Sequence, residues 1–262
     1  MMKINLEGKK ALVGGSTQGL GKAIAIQLAN CGATVTLMAR NKDKLEIVKN
    51  ELNADFNQNH QILVVDFNNF ETYKILIANY FDKNSVDILV NNTNGPEGGT
   101  VFDKNTDDYQ IAFNLLFKTT QFTTMLAIEN MKKNKFGRII NATSISLKEP
   151  LNHLVLSNSI RAAVSTWAKT LSNSIAENRI TVNNILTGIF NTERITQLNE
   201  MQAKAKGISS DKVLNELLET IPVKRLGKPE EFGYLVTFLA SEYASFITGT
   251  NIAIDGGLLK SM

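Results

Sequence analysis

One stretch, Ala11-Leu12-Val13-Gly14-Gly15-Ser16-Thr17-Gln18-Gly19-Leu20-Gly21, constrains the fold of this 262-residue chain more than any other. An apolar run from Ala11 to Val13 breaks into glycines. It then reopens at helical spacing with Ala23, Ile24, Ala25, Leu28 and Ala29. That is strand, tight turn and helix. Glycine lets a turn take positive φ and lets backbone lie close to a ligand. The helix that follows offers unpaired N–H groups and the positive end of its dipole, which suits a pyrophosphate. Gly15, Ser16, Thr17, Gln18, Gly19, Leu20 and Gly21 are therefore candidate cofactor-binding residues. Alone, the pattern also fits a turn that merely joins strand to helix, so the remainder of the chain has to decide.

Downstream, strand-like runs at Ala33–Ala39, Gln61–Asp66, Val86–Asn91, Gly137–Ser144, Ile180–Leu186 and Asn251–Asp255 alternate with helix-like segments. The segments lie near Asp43–Asn53, Phe70–Lys83, Thr106–Lys133, Leu154–Glu177 and Glu230–Ser241. Such alternation builds right-handed βαβ units and a parallel sheet covered on both faces. The expected fold class is α/β, a single-domain Rossmann fold over residues 1–262 with a doubly wound parallel sheet of about seven strands. Ligands on such sheets bind beyond the carboxyl ends of the strands, which directs attention to Arg40, Asp66, Asn91–Gly95, Ser144 and Thr187–Thr192. Residues 190–221 fit the alternation poorly. They are polar, with Gly207 and Ser209-Ser210 in the middle, and read either as a helical substrate lid or as a solvated excursion.

Composition narrows the function classes. A net charge of +3, with Lys and Arg scattered, argues against nucleic acid or a membrane surface as partner. No apolar run is long enough to span a bilayer, the N-terminus lacks a secretory apolar region, and the expected location is cytoplasmic. Cys31 is alone, so no intrachain disulfide forms, and it reads as a small buried residue at the end of the first helix. His60 and His153 are far apart and the acids show no ligand spacing, so no metal is expected.

The motifs together resemble the short-chain dehydrogenase/reductases, especially the 3-oxoacyl-(acyl-carrier-protein) reductase type, nearly end to end. Gly15 to Gly21 matches the family's glycine motif, and Asp66 sits where its adenine-binding Asp follows the third strand, with Phe67 beside it. Asn91-Asn92-Thr93-Asn94 resembles its Asn-Asn-Ala-Gly stretch, departing at Thr93 and Asn94. Gly137-Arg138-Ile139-Ile140 leads into Ser144 as the family's catalytic-serine strand does. Arg225-Leu226-Gly227-Lys228-Pro229-Glu230-Glu231 and Asp255-Gly256-Gly257 match its C-terminal signatures. The resemblance implies a nicotinamide cofactor held also by Asn92, Thr93, Asn94, Ile189 and Thr192. It implies a small carbonyl or alcohol substrate, an acyl thioester among the candidates, and a homotetramer or homodimer. The apolar faces carrying Ile111, Leu115, Phe122 and Met125, and Val164, Trp167 and Leu171, suit that assembly and suit core packing equally.

The second strand ends at Arg40, where NAD-binding chains place an acid about 20 residues past the turn. A guanidinium pairs a 2′-phosphate in a forked geometry, so NADP(H) is the expected cofactor. The family reduces carbonyls with an Asn, a Ser, and a Tyr four residues before a Lys. Here Asn114 and Ser144 fall at the first two positions, but Ser157 and Arg161 stand at the others. An aliphatic hydroxyl is far too weak an acid to take the phenol's role directly, and Arg161 stays charged. Arg161 is a candidate instead for binding the cofactor through its nicotinamide ribose hydroxyls and for holding positive charge near the reacting oxygen. Such Ser/Arg replacements resemble a side branch grouped with the oxoacyl reductases. Two readings stay open. In one, a reductase uses Asn114, Ser144, Ser157 and Arg161, with water or His153 supplying the proton and Lys118 a weaker candidate. In the other, the protein binds NADP(H) without turnover, as a sensor or regulatory subunit.

Overall fold

The structure, a computed structural model, describes residues 3–261. Its centre is one seven-stranded, all-parallel sheet: β1 (Lys10–Gly14), β2 (Thr34–Ala39), β3 (Gln61–Val64), β4 (Ile88–Asn91), β5 (Gly137–Ala142), β6 (Ile180–Thr187) and β7 (Asn251–Ile254). The spatial order is β3-β2-β1-β4-β5-β6-β7. The chain therefore winds outward from β1 to β3, returns to the other side of β1 as β4, and winds outward again. The reversal leaves a crevice between β1 and β4 at their carboxyl ends.

Strand alternation feeds two cores. In β1, Ala11 and Val13 face a core shared with α1 (Gly19–Asn30), α2 (Lys42–Glu51) and α9 (Pro229–Ala240). Leu12 points the other way, toward α3 (Phe70–Phe81), α5 (Thr119–Asn134) and α6 (Val155–Ile175). A side-chain period of two, with both faces buried, makes these strands nearly continuous apolar runs. Helix starts follow side-chain chemistry. The Asn41 and Asn69 amide oxygens cap α2 and α3, Asn105 and Asp108 form a reciprocal capping box on α4 (Thr106–Phe113), and Pro229 opens α9.

Several boundaries differ from the sequence expectation. Strands end earlier, β3 at Val64 and β5 at Ala142. The long helix expected over Thr106–Lys133 is interrupted by a wide π turn at Asn114–Lys118, where Thr119 N–H bonds the Asn114 carbonyl. Residues 190–221 are two helices, α7 (Glu193–Lys206) and α8 (Ser210–Thr220), meeting at Gly207 in the left-handed conformation. His60 is a structural link rather than a solvated residue: its Nδ1 accepts from Val35 N–H at 3.0 Å and its Nε2 meets the Asn53 carbonyl at 2.8 Å. Cys31 follows α1 directly and is half-buried.

Strands β4 to β7 carry an amide ladder, buried at Asn91, Asn141 and Asn184 and reaching exposed Asn251 at its end. Asn91, Asn141, Asn184 and Asn251 are register partners on β4 to β7. Each amide donates to the next: Asn91 to Asn141 at 2.8 Å, Asn141 to Asn184 at 2.9 Å and Asn184 to Asn251 at 2.8 Å.

Candidate active site

A cleft of about 550 Å³ opens where the crevice was expected. Its wall is built from the turns after four strands: Gly15 to Gly21 after β1, Asn92 to Pro96 after β4, Ala142 to Ser144 after β5, and Thr187, Gly188 and Phe190 after β6. At the first turn Gly15 and Gly19 take φ of 60° and 54°, which side chains resist. A β-carbon on Gly21 would run into the Gly15 carbonyl, so this glycine lets α1 close against the turn. Those are the requirements of a phosphate cradle at a helix start.

The expected cofactor residues divide. Gly15, Gln18, Gly19, Leu20, Gly21, Asn92, Thr93, Asn94 and Thr192 line the cleft. Gly15, Thr17, Gln18, Arg40, Phe67 and Asn94 line an adjoining lobe of about 370 Å³, together with Lys44 and Asn41. Three residues behave differently. Ser16 is fully buried, and its Oγ accepts the Met38 N–H at 2.9 Å, so its side chain ties the turn to β2. Asp66 lines neither space: its Oδ1 accepts from the Asn68 backbone and side-chain amides, leaving Phe67 to face the lobe. Ile189 lines a separate hollow with Val223, Arg225 and Gly227, its carbonyl accepting Gly227 N–H at 3.0 Å, while Phe190 takes the place in the cleft.

Ser144, Ser157 and Arg161 meet at the cleft's other end. α6 is anchored by Leu156, Ile160, Val164 and Ala168 in the core, which turns Ser157 and Arg161, one helical turn apart, to the same face. Arg161 Nε donates to Ser157 Oγ at 3.2 Å and Nη1 donates to the Ala142 carbonyl at 2.7 Å. Ser144 Oγ accepts the Ser146 N–H at 3.1 Å. Each serine oxygen thus has one acceptor site engaged by the protein, while its own proton stays free to donate. Burial, with the like charge of Arg194 as a smaller cause, pushes the Arg161 guanidinium down to about 10, so it remains a cation at neutral pH.

Asn114, Lys118 and His153 lie outside this group. The Asn114 amide oxygen accepts from Gln110 Nε2 at 2.9 Å, back along its own helix, and Asn114 does not line the cleft. The π turn it opens places Leu116 and Thr120 in a small hollow with Arg161 and Val164. Lys118 sits 4.2 Å above the Phe70 ring. α6 begins only at Val155, so His153 is an exposed loop residue whose carbonyl accepts Gly99 N–H. His153 therefore does not share the helical face that carries Ser157 and Arg161.

The family model described as Enoyl-(Acyl carrier protein) reductase matches residues 15–259. The chain belongs to the short-chain dehydrogenase/reductases. Among members of that family, the NADPH-dependent reductase BacG of Bacillus subtilis (strain 168) is 35% identical over 97% of this chain and 99% of its own length. The 3-oxoacyl-(acyl-carrier-protein) reductase FabG of Rickettsia bellii (strain RML369-C) is 30% identical over 98% and 99%. Among solved structures, the L-sorbose reductase of Gluconobacter frateurii, complexed with NADPH and L-sorbose, superposes with a TM-score of 0.93 at 28% identity, covering 100% of both chains. YwfH, an NADPH-dependent reductase involved in bacilysin biosynthesis, gives 0.90 at 33% identity over 97% and 99%.

Two residues of this dehydrogenase/reductase escaped the sequence reading. Lys44 joins Arg40 in the second lobe, one turn into α2. Arg194, in the first turn of α7, lines the main cleft. Lys44 was detectable in principle, since a helix starting at Lys42 returns its third residue toward the strand end. Arg194 carried no signal, because its place depends on how the 190–221 segment folds back.

Proposed function

We propose that this chain is an NADP(H)-dependent carbonyl reductase or alcohol dehydrogenase, similar to the 3-oxoacyl-(acyl-carrier-protein) reductases, working with Ser144, Ser157 and Arg161 instead of a phenol and an ammonium. The glycine cradle suits a pyrophosphate, and the Arg40 and Lys44 pair at the lobe suits a 2′-phosphate. The NADPH-dependent reductase BacG and the sorbose reductase solved with NADPH support the same cofactor. When bound, the cofactor supplies a hydride to the carbonyl carbon. Ser144 and Ser157 donate hydrogen bonds to the carbonyl oxygen, and Arg161 holds positive charge beside them as the oxygen becomes anionic. Water entering the open cleft supplies the proton that this oxygen takes up, since an aliphatic hydroxyl is too weak an acid to replace a phenol. Residues 190–221 act as the lid, and assembly is a homotetramer or homodimer, supported by exposed Ile111 and Met125 on α4 and α5.

The observation that carries this reading is the Arg161–Ser157 hydrogen bond beside Ser144 in one cleft with the glycine turn. Its test is NADPH oxidation over ketones, dicarbonyls and acyl thioesters with wild type and Ser157→Ala. Turnover is expected, with kcat roughly 100-fold lower in the variant and NADPH affinity unchanged. Saturable NADPH binding with no turnover on any of them supports the silent binder instead. Large new activity on restoring Tyr and Lys (S157Y with R161K) points the same way.

A further inference from the structure

Two guanidinium groups face the main cleft near its catalytic end, and neither has an anionic partner among the described residues. Arg161 projects from α6. Its Nε and Nη1 each make one hydrogen bond, and Nη2 makes none to any described residue. Arg194 comes from α7 and makes no hydrogen bond or ion pair to any described residue, its Nη2 lying 3.6 Å from where a β-carbon on Gly95 would stand. The one carboxylate lining the cleft, Glu193, accepts from its own helix neighbour Gln197 at 3.2 Å. Arg194 depresses the Arg161 pKa, so the two cations are close enough to repel. Two cations facing one cavity raise its positive potential and favour an anion between them.

We propose that Arg161 and Arg194 form an oxyanion subsite for the substrate's own carboxylate, which makes 2-oxo acids the preferred substrate class. The spacing favours a carboxylate next to the reacting carbonyl, because Arg161 already touches Ser157, the residue assigned to the carbonyl oxygen. A planar guanidinium suits a planar carboxylate in a two-point contact. The cofactor's pyrophosphate is the other anion that could reach Arg194. It has its own cradle in the backbone of Gly15 to Gly21 at the start of α1. This assignment rests on the reductase reading above for the identity of the reacting carbonyl.

The experiment pairs 2-oxobutanoate with its methyl ester as substrates, and adds calorimetric titration of oxamate into NADP⁺-loaded protein. Wild type should favour the acid over the ester in kcat/KM by at least about tenfold at low salt. Arg194→Ala should erase that preference and weaken oxamate about tenfold, Arg194→Lys should restore part of both, and NADPH affinity should stay constant. Arg194 is exposed on the lid, so its variants fold, and circular dichroism verifies this. Oxamate binding that depends on Arg194 without turnover of any carbonyl supports the subsite and removes the reductase reading. Turnover of neutral ketones with no acid preference and no oxamate binding keeps the reductase and overturns the subsite. A loss of NADPH affinity in Arg194→Ala with the acid-to-ester ratio intact also overturns it, and assigns the guanidinium to the pyrophosphate.

Discussion

Arg40 and Lys44 are the two cations lining the lobe proposed for the cofactor's 2′-phosphate. Arg40 closes β2, and the Asn41 cap starts α2 so that Lys44, whose N–H the cap receives at 2.9 Å, comes round to the same lobe. Both cations are exposed, so each contact with a phosphate is screened by water and salt. Arg40→Ala should raise the NADPH dissociation constant about tenfold and Lys44→Ala about threefold, each leaving NADH affinity untouched. Fluorescence titration at two salt concentrations checks this. Equal losses for NADPH and NADH would place both residues elsewhere than at a 2′-phosphate.

Among the elements, the amide ladder is the most exacting. Asn141 is 1% exposed and is both donor and acceptor between Asn91 and Asn184. Removing it strands one donor and one acceptor in the sheet interior, where unmade hydrogen bonds are costly. Asn141→Ala should therefore destabilise the fold by about 3 kcal/mol, read from urea denaturation. α9 offers a pH-dependent counterpart. The Glu231 carboxylate takes two bonds from Arg225 at 2.7 and 2.8 Å and the Lys228 N–H at 2.7 Å. Those bonds, the Arg225 pair first, hold its pKa down to about 2 against an ordinary 4.5. A folded pKa below the unfolded one contributes stability that is complete above about pH 4.5 and disappears as pH falls toward 2. The pair is half-exposed, so its contribution is modest. The stability difference between wild type and Glu231→Gln should be constant from pH 5 to 7 and close to zero at pH 2.

At the scale of the whole molecule, rigidity is unevenly distributed. The sheet and the helices beside it carry nearly all the buried apolar residues, whereas α7 and α8 bury only Ala203 and Val213 between them. Their base is pinned where Asn191 N–H meets the Gly227 carbonyl at 2.8 Å and Gly227 N–H meets that of Ile189. Few buried contacts mean low local stability. Amide hydrogens of residues 193–220 should exchange far faster than those of β1, β4 and β5, and should slow when NADPH and a 2-oxo acid are both present. Exchange as slow as in the sheet in the free protein would remove the lid.

By itself the sequence determined the alternation of strands and helices, the glycine turn, and the placement of Arg40, Ser144, Ser157 and Arg161. Each is set by local period or by distance along the chain, and each survives in the fold. Tertiary structure decided what depends on partners remote in sequence. Ser16 and Asp66 lie within the expected motifs, yet their side chains are committed to Met38 and Asn68. The Ile189 carbonyl accepts the Gly227 N–H, and Phe190 rather than Ile189 lines the cleft. His153 falls short of α6, and the ladder asparagines read as polar interruptions until register aligns them across four strands. Arg194 reaches the cleft only because α7 folds back over it. A side chain's hydrogen-bond partner is chosen by proximity in space, and chain spacing carries no record of that.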